Sequence, residues 1–361
     1  MGGRRQSNPL FGDLDMRESS WERAISVRRT FPLVTAGPDA QGDANPSVPI
    51  LFRIFIIRQN PIMNKMLAAC LVCLVSLTAS MAQGPKVLVV TAHPDDETGF
   101  SVTMFKVARE LKGSVDMAVM TDGGGGFADA QLGSVYYGVN LLDSVVARTH
   151  LPLIRKEEIA AAARIMGVRN IYFMEQPDDF YSTDITPYIS GKNWDIPYVE
   201  RRLDILLRER GYDFVVTMLP HPGQHGHHKT SAVLALRAVQ RYKGPGRPIV
   251  IAGSPMRNDA QPSEFTMLEG FPETRIKADA PTFRLDRAFR FKENDKVSYK
   301  IVADWVIAEY KSQGAIQENG IHRTDYELYR YYDINDPAGI PRVKKLFDDL
   351  ARSGYAAPGS R

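Results

Sequence analysis

The sequence predicts an α/β fold: a mostly parallel sheet with helices on both faces, a three-layer α/β/α arrangement in a single domain. Three observations predict it. Five short runs, at 86–91, 116–121, 170–174, 213–219 and 248–252, are apolar and β-branched, with the length of buried parallel strands. Between them lie segments with apolar residues at helical spacing, giving the order β-α-β-α-β-α-β-α-β. A histidine with paired carboxylates follows the first run and a histidine-rich loop the fourth, at the sheet edge where open α/β sheets bind ligands.

The elements follow in order. After the first strand, residues 97–111 carry Phe100, Met104, Phe105, Val107 and Ala108 at helical spacing, and Gly113 closes the helix. The second strand runs into Asp122 and four glycines. Their spacing matches neither the Rossmann nor the P-loop pattern, so the run predicts a flexible loop that lets backbone approach a ligand. Residues 144–167 are mostly helix, with an interruption expected near Pro152 and Gly167 as C-cap. The third strand leads into Gln176-Pro177-Asp178-Asp179, which copies the Pro-Asp-Asp of the first loop without its histidine and predicts a turn at the rim of the site. Residues 198–211 form an amphipathic helix, and 229–242 the helix after the histidine loop. Residues 255–281 are rich in Pro, Asn, Asp and Glu and predict an excursion near the site. Residues 283–291 alternate like a half-exposed edge strand, 296–313 form a helix, and 341–354 a last one with proline at its start and glycine at its end. No internal repeat is present.

Composition sets the bounds. Of 361 residues, 44% are hydrophobic and 24% charged, as in soluble globular proteins, and a net charge of +3 is small for this length. No basic run is interleaved with aromatics, so no nucleic-acid partner is expected. Residues 1–62 lack sustained periodicity. From Met63 a short basic start, Met63-Asn64-Lys65, precedes an apolar run at 66–79 and the small-x-small site Ser80-Met81-Ala82. That is the pattern of a secretory signal peptide over 63–82, cleaved after Ala82. The apolar run is shorter than the roughly 20 residues of a membrane span. The mature protein is thus expected to be 83–361, exported to a periplasmic or extracellular location, without an integral membrane span. Residues 1–62 are expected not to belong to it, either as a start placed too early or as a long leader. Both cysteines, Cys70 and Cys73, fall inside the apolar run, so no disulfide is expected. Leu67-Ala68-Ala69-Cys70 also resembles a bacterial lipoprotein box, the alternative reading, although too little apolar sequence precedes it when translation starts at Met63.

Five of the seven histidines lie in two loops, at His93 and in His221-Pro222-Gly223-Gln224-His225-Gly226-His227-His228. His93 and Asp96 sit three apart on a loop turned by Pro94, which lets both converge on one ion while Asp95 points elsewhere. His225 and His228 repeat that separation at the start of a helix. Imidazole and carboxylate together suit a borderline divalent metal such as zinc. Three protein ligands leave a coordination position for water, an uncoordinated carboxylate supplies a general base, and a further histidine can stabilise an oxyanion. His221 and His227 are expected to be supporting or solvated groups, and His150 and His322 structural or exposed.

Ala92-His93-Pro94-Asp95-Asp96-Glu97 after a strand, with a distant histidine pair spaced by three, resembles the PIG-L/LmbE-like family of zinc-dependent de-N-acetylases. Thr121-Asp122-Gly123, Arg155-Lys156-Glu157-Glu158 and Lys311-Ser312-Gln313 are further echoes, and the resemblance covers about 86–313. It implies a Rossmann-like scaffold and hydrolysis of the acetamide of an N-acetylglucosamine-type sugar or glycoconjugate. It implies one zinc ion, or another divalent metal, held by His93, Asp96 and His228, with Asp95 as base and His225 stabilising the oxyanion. Arg155 falls where the family has a substrate-contacting arginine, and Asp122 is a second candidate for substrate contact. Many members carry His-Pro-Asp-His where this chain has His225-Gly226-His227-His228, which leaves roles within that loop open. A sugar-binding protein without turnover and a metal-dependent phosphoesterase are the competing readings. The former leaves Asp95 and His225 unexplained, and the latter normally needs more carboxylates for two ions.

Overall fold

A computed structural model describes residues 84–290, 297–320 and 324–353. Residues 1–62, the expected signal segment 63–82, His322, Gly354 and the end of the 283–291 alternation lie outside the described residues. Each of the five expected runs is a strand: β1 (Lys86–Thr91), β2 (Ser114–Thr121), β3 (Asn170–Gln176), β4 (Phe214–Met218) and β5 (Ile249–Met256). All four pairings among them are parallel. Two further strands, β6 (Phe283–Asp286) and β7 (Tyr326–Tyr331), add antiparallel, so the seven-stranded sheet runs β3-β2-β1-β4-β5-β7-β6. The helices are α1 (Ser101–Phe105), α2 (Gln131–Tyr137), α3 (Ser144–Met166), α4 (Thr186–Ile189), α5 (Ile196–Arg210), α6 (Gly226–Arg241), α7 (Lys300–Ala308), α8 (Gly314–Gly320) and α9 (Ile340–Arg352).

Side chains on a strand point alternately to its two faces, and a sheet buried on both sides therefore feeds two cores. Val87 and Val89 of β1 join Val115, Met117, Val216 and Ile251 in one cluster, closed by α1, α3, α7 and α9. Leu88 and Val90 join Ala118, Met120, Val215 and Val250 in the other, closed by α5 and α6. This is the expected three-layer α/β/α architecture. Each fully buried Val, Leu or Ile contributes about 1.5–3 kcal/mol relative to its exposed state, so the two clusters carry the fold.

Three departures from expectation have physical causes. The helix over Pro152 is not interrupted: α3 is continuous, with Pro152 inside it. Asp143 caps its start, accepting from Val145 N (2.9 Å) and Val146 N (3.1 Å), and buried Leu151, Arg155, Ile159 and Ala162 hold the helix on both sides of the proline. The expected helix 296–313 ends at Ala308, because Tyr310 and Ser312 leave it to bond Glu97 and Glu158. The strand β7 was not expected. It sits between β5 and β6, and its Glu327 is fully buried yet accepts from Val102 N (3.0 Å), Thr103 N (3.1 Å) and Arg287 Nε (2.9 Å). β6 is an edge strand, as its alternation predicted, but only over four residues.

The strand order matters for function. The chain leaves β1 towards β2 and β3 on one side, then returns to β4 and β5 on the other. The crevice at such a switch point, beyond the carboxyl ends of β1 and β4, is the natural ligand site of an open α/β sheet. Both histidine-bearing loops start there.

Candidate metal centre and active site

The loop after β1 is folded by its own carboxylate. Asp96 Oδ2 accepts from the backbone N–H of Ala92 (2.9 Å) and His93 (2.8 Å), which turns the acid back across the strand end. From the other loop, the first turn of α6 brings His228 against it, with Nε2 3.0 Å from Asp96 Oδ1 and 3.1 Å from His93 Nδ1. His93 Nδ1 is 3.6 Å from Asp96 Oδ2. His93, Asp96 and His228 therefore converge as a group able to hold a metal ion, all three half-buried and so reachable from one side. The donor set fits a borderline dication. Two imidazole nitrogens 3.1 Å apart cannot both carry protons towards each other, and an ion beside an anionic Asp96 satisfies all three donors at once. The histidine partners hold Asp96 well below the usual carboxylate range against the opposing effect of burial.

Asp95 is not one of the three converging groups. Its backbone is at φ 138°, a conformation that costs a non-glycine residue about 1–3 kcal/mol and that clusters at functional sites. Three contacts hold it: its N–H donates to Glu97 Oε2 (3.0 Å), its carbonyl accepts from Thr98 N (3.0 Å), and its carboxylate meets Arg155 Nη2 at 2.9 Å. Glu97 is held in turn by Tyr310. Burial raises the Asp95 carboxyl, Arg155 lowers it and Asp96 raises it again, leaving it at about 6. That suits a base operating near neutrality.

Arg155 is 2% exposed, and its guanidinium also donates to Pro94 O (2.6 Å) and Gly123 O (3.0 Å). It is thus the buried counter-ion of Asp95, where the resemblance implied substrate contact. The glycine run is explained by the same side chain. A Cβ on Gly123, which has φ +77°, would lie 2.9 Å from Arg155 Cδ, and one on Gly126 2.6 Å from its Nη1. The backbone of this run approaches a buried arginine. Asp122 closes a turn within that run, accepting from Gly124 N (2.8 Å).

His225 is the N-cap of α6, and its Nδ1 accepts from His227 N at 2.9 Å. Its proton therefore sits on Nε2. Burial and the neighbouring His93 and His228 lower its pKa to about 4, so it is a neutral donor at physiological pH. The exposed ring of Tyr181 packs edge-on at 4.9 Å.

His227, expected to be a supporting or solvated group, is fully buried, with Nδ1 3.0 Å from His93 Nε2. Asp178 and Asp179, expected at the rim, reach into the site. Asp178 lies 3.6 Å from His93 Nε2, 3.5 Å from His227 Nδ1 and 3.6 Å from Arg155 Nη1, and Asp179 3.2 Å from His227 Nε2. The signal was the repeated Pro-Asp-Asp. His221 is half-buried and accepts from Gly223 N (3.2 Å), a loop contact, while His150 is exposed.

Residues 88–239 match the family model described as PIG-L, GlcNAc-PI de-N-acetylase. The chain is similar to a probable N-acetyl-alpha-D-glucosaminyl L-malate deacetylase 2 of Bacillus cereus, 27% identical over 173 residues that cover 48% of this chain and 69% of the relative. Among solved structures it is similar to N,N'-diacetylchitobiose deacetylase from Pyrococcus horikoshii (23% identity, 53% of this chain, 68% of that one, TM-score 0.35). It is also similar to the 4-carboxy-2-hydroxymuconate hydratase from Pseudomonas putida (17% identity, 70% and 97% coverage, TM-score 0.41). Structural likenesses of that size carry no argument about the reaction. The matched stretch, however, spans both loops of the cluster, so residues 88–239 form a PIG-L family domain.

Proposed function

We propose that the protein is a zinc-dependent N-deacetylase that hydrolyses the acetamide of an N-acetylglucosamine-type sugar or glycoconjugate. One observation carries the reading: His93, Asp96 and His228 converge within 3.6 Å beside a strained, ionisable Asp95 and a neutral His225 that carries its N–H on Nε2. The family match and the name of the Bacillus relative support the choice of substrate class.

Bound by His93, Asp96 and His228, one zinc ion, or another divalent metal that suits the same donors, supplies Lewis-acid polarisation of the acetamide carbonyl and the attacking water. The chain's own groups do the rest. The Asp95 carboxylate takes a proton from the water as its oxygen bonds to the carbonyl carbon. Arg155 fixes its orientation and favours its ionised form. The His225 Nε2–H donates to the carbonyl oxygen as that atom gains negative charge. When the C–N bond breaks, Asp95 returns its proton to the nitrogen, so that the amine and acetic acid leave, the acid then losing its remaining proton to solvent or to the amine, and the Asp95 carboxylate is restored.

The protein is further proposed to act outside the cytoplasm, a reading supported by the sequence pattern at 63–82 alone. No helix among the described residues is long and apolar enough to cross a membrane. The test is acetate release from N-acetylglucosamine and its glycosides by purified protein, before and after chelation and zinc return. Activity that survives complete metal removal, or absence of acetate release from every N-acetylated sugar offered to zinc-loaded protein, refutes the reading.

A further inference from the structure

His93 has two ring nitrogens, and the fold uses both. Nδ1 faces His228 and Asp96. Nε2 faces the opposite way, 3.0 Å from Nδ1 of the fully buried His227, whose own Nε2 is 3.2 Å from Asp179 Oδ1. Building on the reading of His93 as a metal ligand, we infer that His227 and Asp179 are positioning residues that orient and polarise His93 through its far nitrogen.

One assignment of protons satisfies every contact. If Nδ1 of His93 gives its lone pair to the ion, the ring's single proton sits on Nε2 and is donated to His227 Nδ1. His227 must then carry its own proton on Nε2, which faces the Asp179 carboxylate. The series ion, His93, His227, Asp179 ends on a formal negative charge. Such partners fix the tautomer and ring angle of a metal-bound histidine and raise its basicity as a ligand. Asp178 Oδ1, at 3.6 Å from His93 and 3.5 Å from His227, adds negative charge beyond hydrogen-bond reach.

The surroundings are built for this contact. Asp179 Oδ1 also accepts from Phe180 N (2.8 Å) and Tyr188 Oη (3.2 Å), and its Oδ2 from Asn193. The His227 ring packs against Tyr188 at 4.3 Å and Trp194 at 5.1 Å, both buried, and the indole N–H is held by Pro177 O at 3.1 Å. Gly226 lets this wall close, since a Cβ there would stand 2.2 Å from Asp184 O. A buried imidazole without partners at both nitrogens would be costly to fold, and these loops supply both.

The same atoms permit a rival: His93, His225 and His227 also lie close enough to hold an ion. A second ion there would need the His93 ring to give up both protons, which the relay does not. The experiment uses the purified full chain without substrate. Zinc affinity is measured by competition with a chromophoric chelator, and zinc per chain by elemental analysis, for wild type, Asp179→Asn, His227→Asn and the double variant. Wild type should hold one zinc. Each single variant should bind it about 10- to 100-fold more weakly. The double variant should be no weaker than His227→Asn, because a relay is broken only once. Asp179 is partly exposed, so Asp179→Asn carries the test if His227→Asn does not fold. Affinity of Asp179→Asn within twofold of wild type, or additive losses in the double variant, would overturn the relay alone. Two zinc ions per wild-type chain, one lost in His227→Asn, would make His227 a ligand and overturn it too. A wild-type chain that binds no zinc would overturn the metal reading and the relay with it.

Discussion

Replacing Asp95 with asparagine separates its role from that of its neighbour. The side chain keeps its size, and its remaining carbonyl oxygen can still accept from Arg155, which lies 2.9 Å from the carboxylate in the native protein. It can no longer accept a proton. With its pKa at about 6, Asp95 is about nine-tenths ionised at pH 7, and below pH 6 the active fraction falls about tenfold per unit. A bound dication would stabilise the carboxylate further, so the acid limb of kcat/KM in the wild type should lie at or below that value. In Asp95→Asn, kcat should drop about 100- to 10,000-fold, or about 3–5.5 kcal/mol of transition-state stabilisation, and the limb should vanish from the residual rate. The assay is acetate release from pH 4.5 to 8, with metal content measured on the same samples. More than a tenth of wild-type kcat with zinc in place, or a retained acid limb, would refute the role. If Asp95→Asn lost the metal while Asp96→Ala kept it, the two aspartates would have exchanged roles.

Chelation should abolish turnover and zinc should restore it, with zinc content rising alongside rate; a preparation shown to be metal-free but fully active would contradict this. His225→Ala should keep its metal and lose about 100- to 1,000-fold in kcat, the usual worth of one oxyanion donor; metal analysis beside kinetics checks both halves. Burial is the chief cause that raises Glu97 to about 8, while its bond from Tyr310 opposes the shift. Above its ordinary value of 4.5 the unfolded chain has released this proton and the native chain still binds it, so native stability falls as pH rises from about 4.5 to 8. Glu97→Gln should therefore flatten the fall in Tm of metal-free protein between pH 5 and 8; an unchanged slope would count against a buried, protonated Glu97. Arg287→Ala would leave Glu327 buried and unpaired, and urea denaturation should show a loss of about 3–5 kcal/mol.

The parallel part of the sheet was legible because β1, β2, β4 and β5 are largely buried on both faces, which leaves each a short continuous apolar run, and β3 at the edge keeps one as well. The antiparallel additions were not. In β7, Tyr326-Glu327-Leu328-Tyr329-Arg330-Tyr331 mixes charge with aromatic bulk, and its glutamate is tolerated in the core because α1 presents two backbone N–H groups and the Thr103 hydroxyl, Tyr329 a second hydroxyl and Arg287 a cation. No local pattern announces such a partnership, since α1 lies more than 200 residues away. Pro152 misled for the related reason that local propensity is overruled when a helix is capped and packed on both sides of the proline.

The candidate site divides along the same line. The residues proposed to hold the metal could be marked in two short loops because a shared ion demands closeness, and His93 with Asp96, or His225 with His228, shows closeness as spacing. What holds those residues comes from elsewhere: Tyr310 reaches Glu97 across 213 positions, Arg155 reaches the carbonyl of Pro94 across 61, and Asp179 reaches His227 across 48. Supporting groups of this kind need only a donor or acceptor at the right point in space, and any loop ending at the same sheet edge can supply it. The repeated Pro-Asp-Asp at 177–179 was visible because the β3 loop ends at that edge too, but its function depended on His227 being turned inward. A histidine beside a ligand in sequence is thus weak evidence of ligation. At this site the ring next to His228 faces the far side of His93, and in the proposed relay it holds a ligand in place.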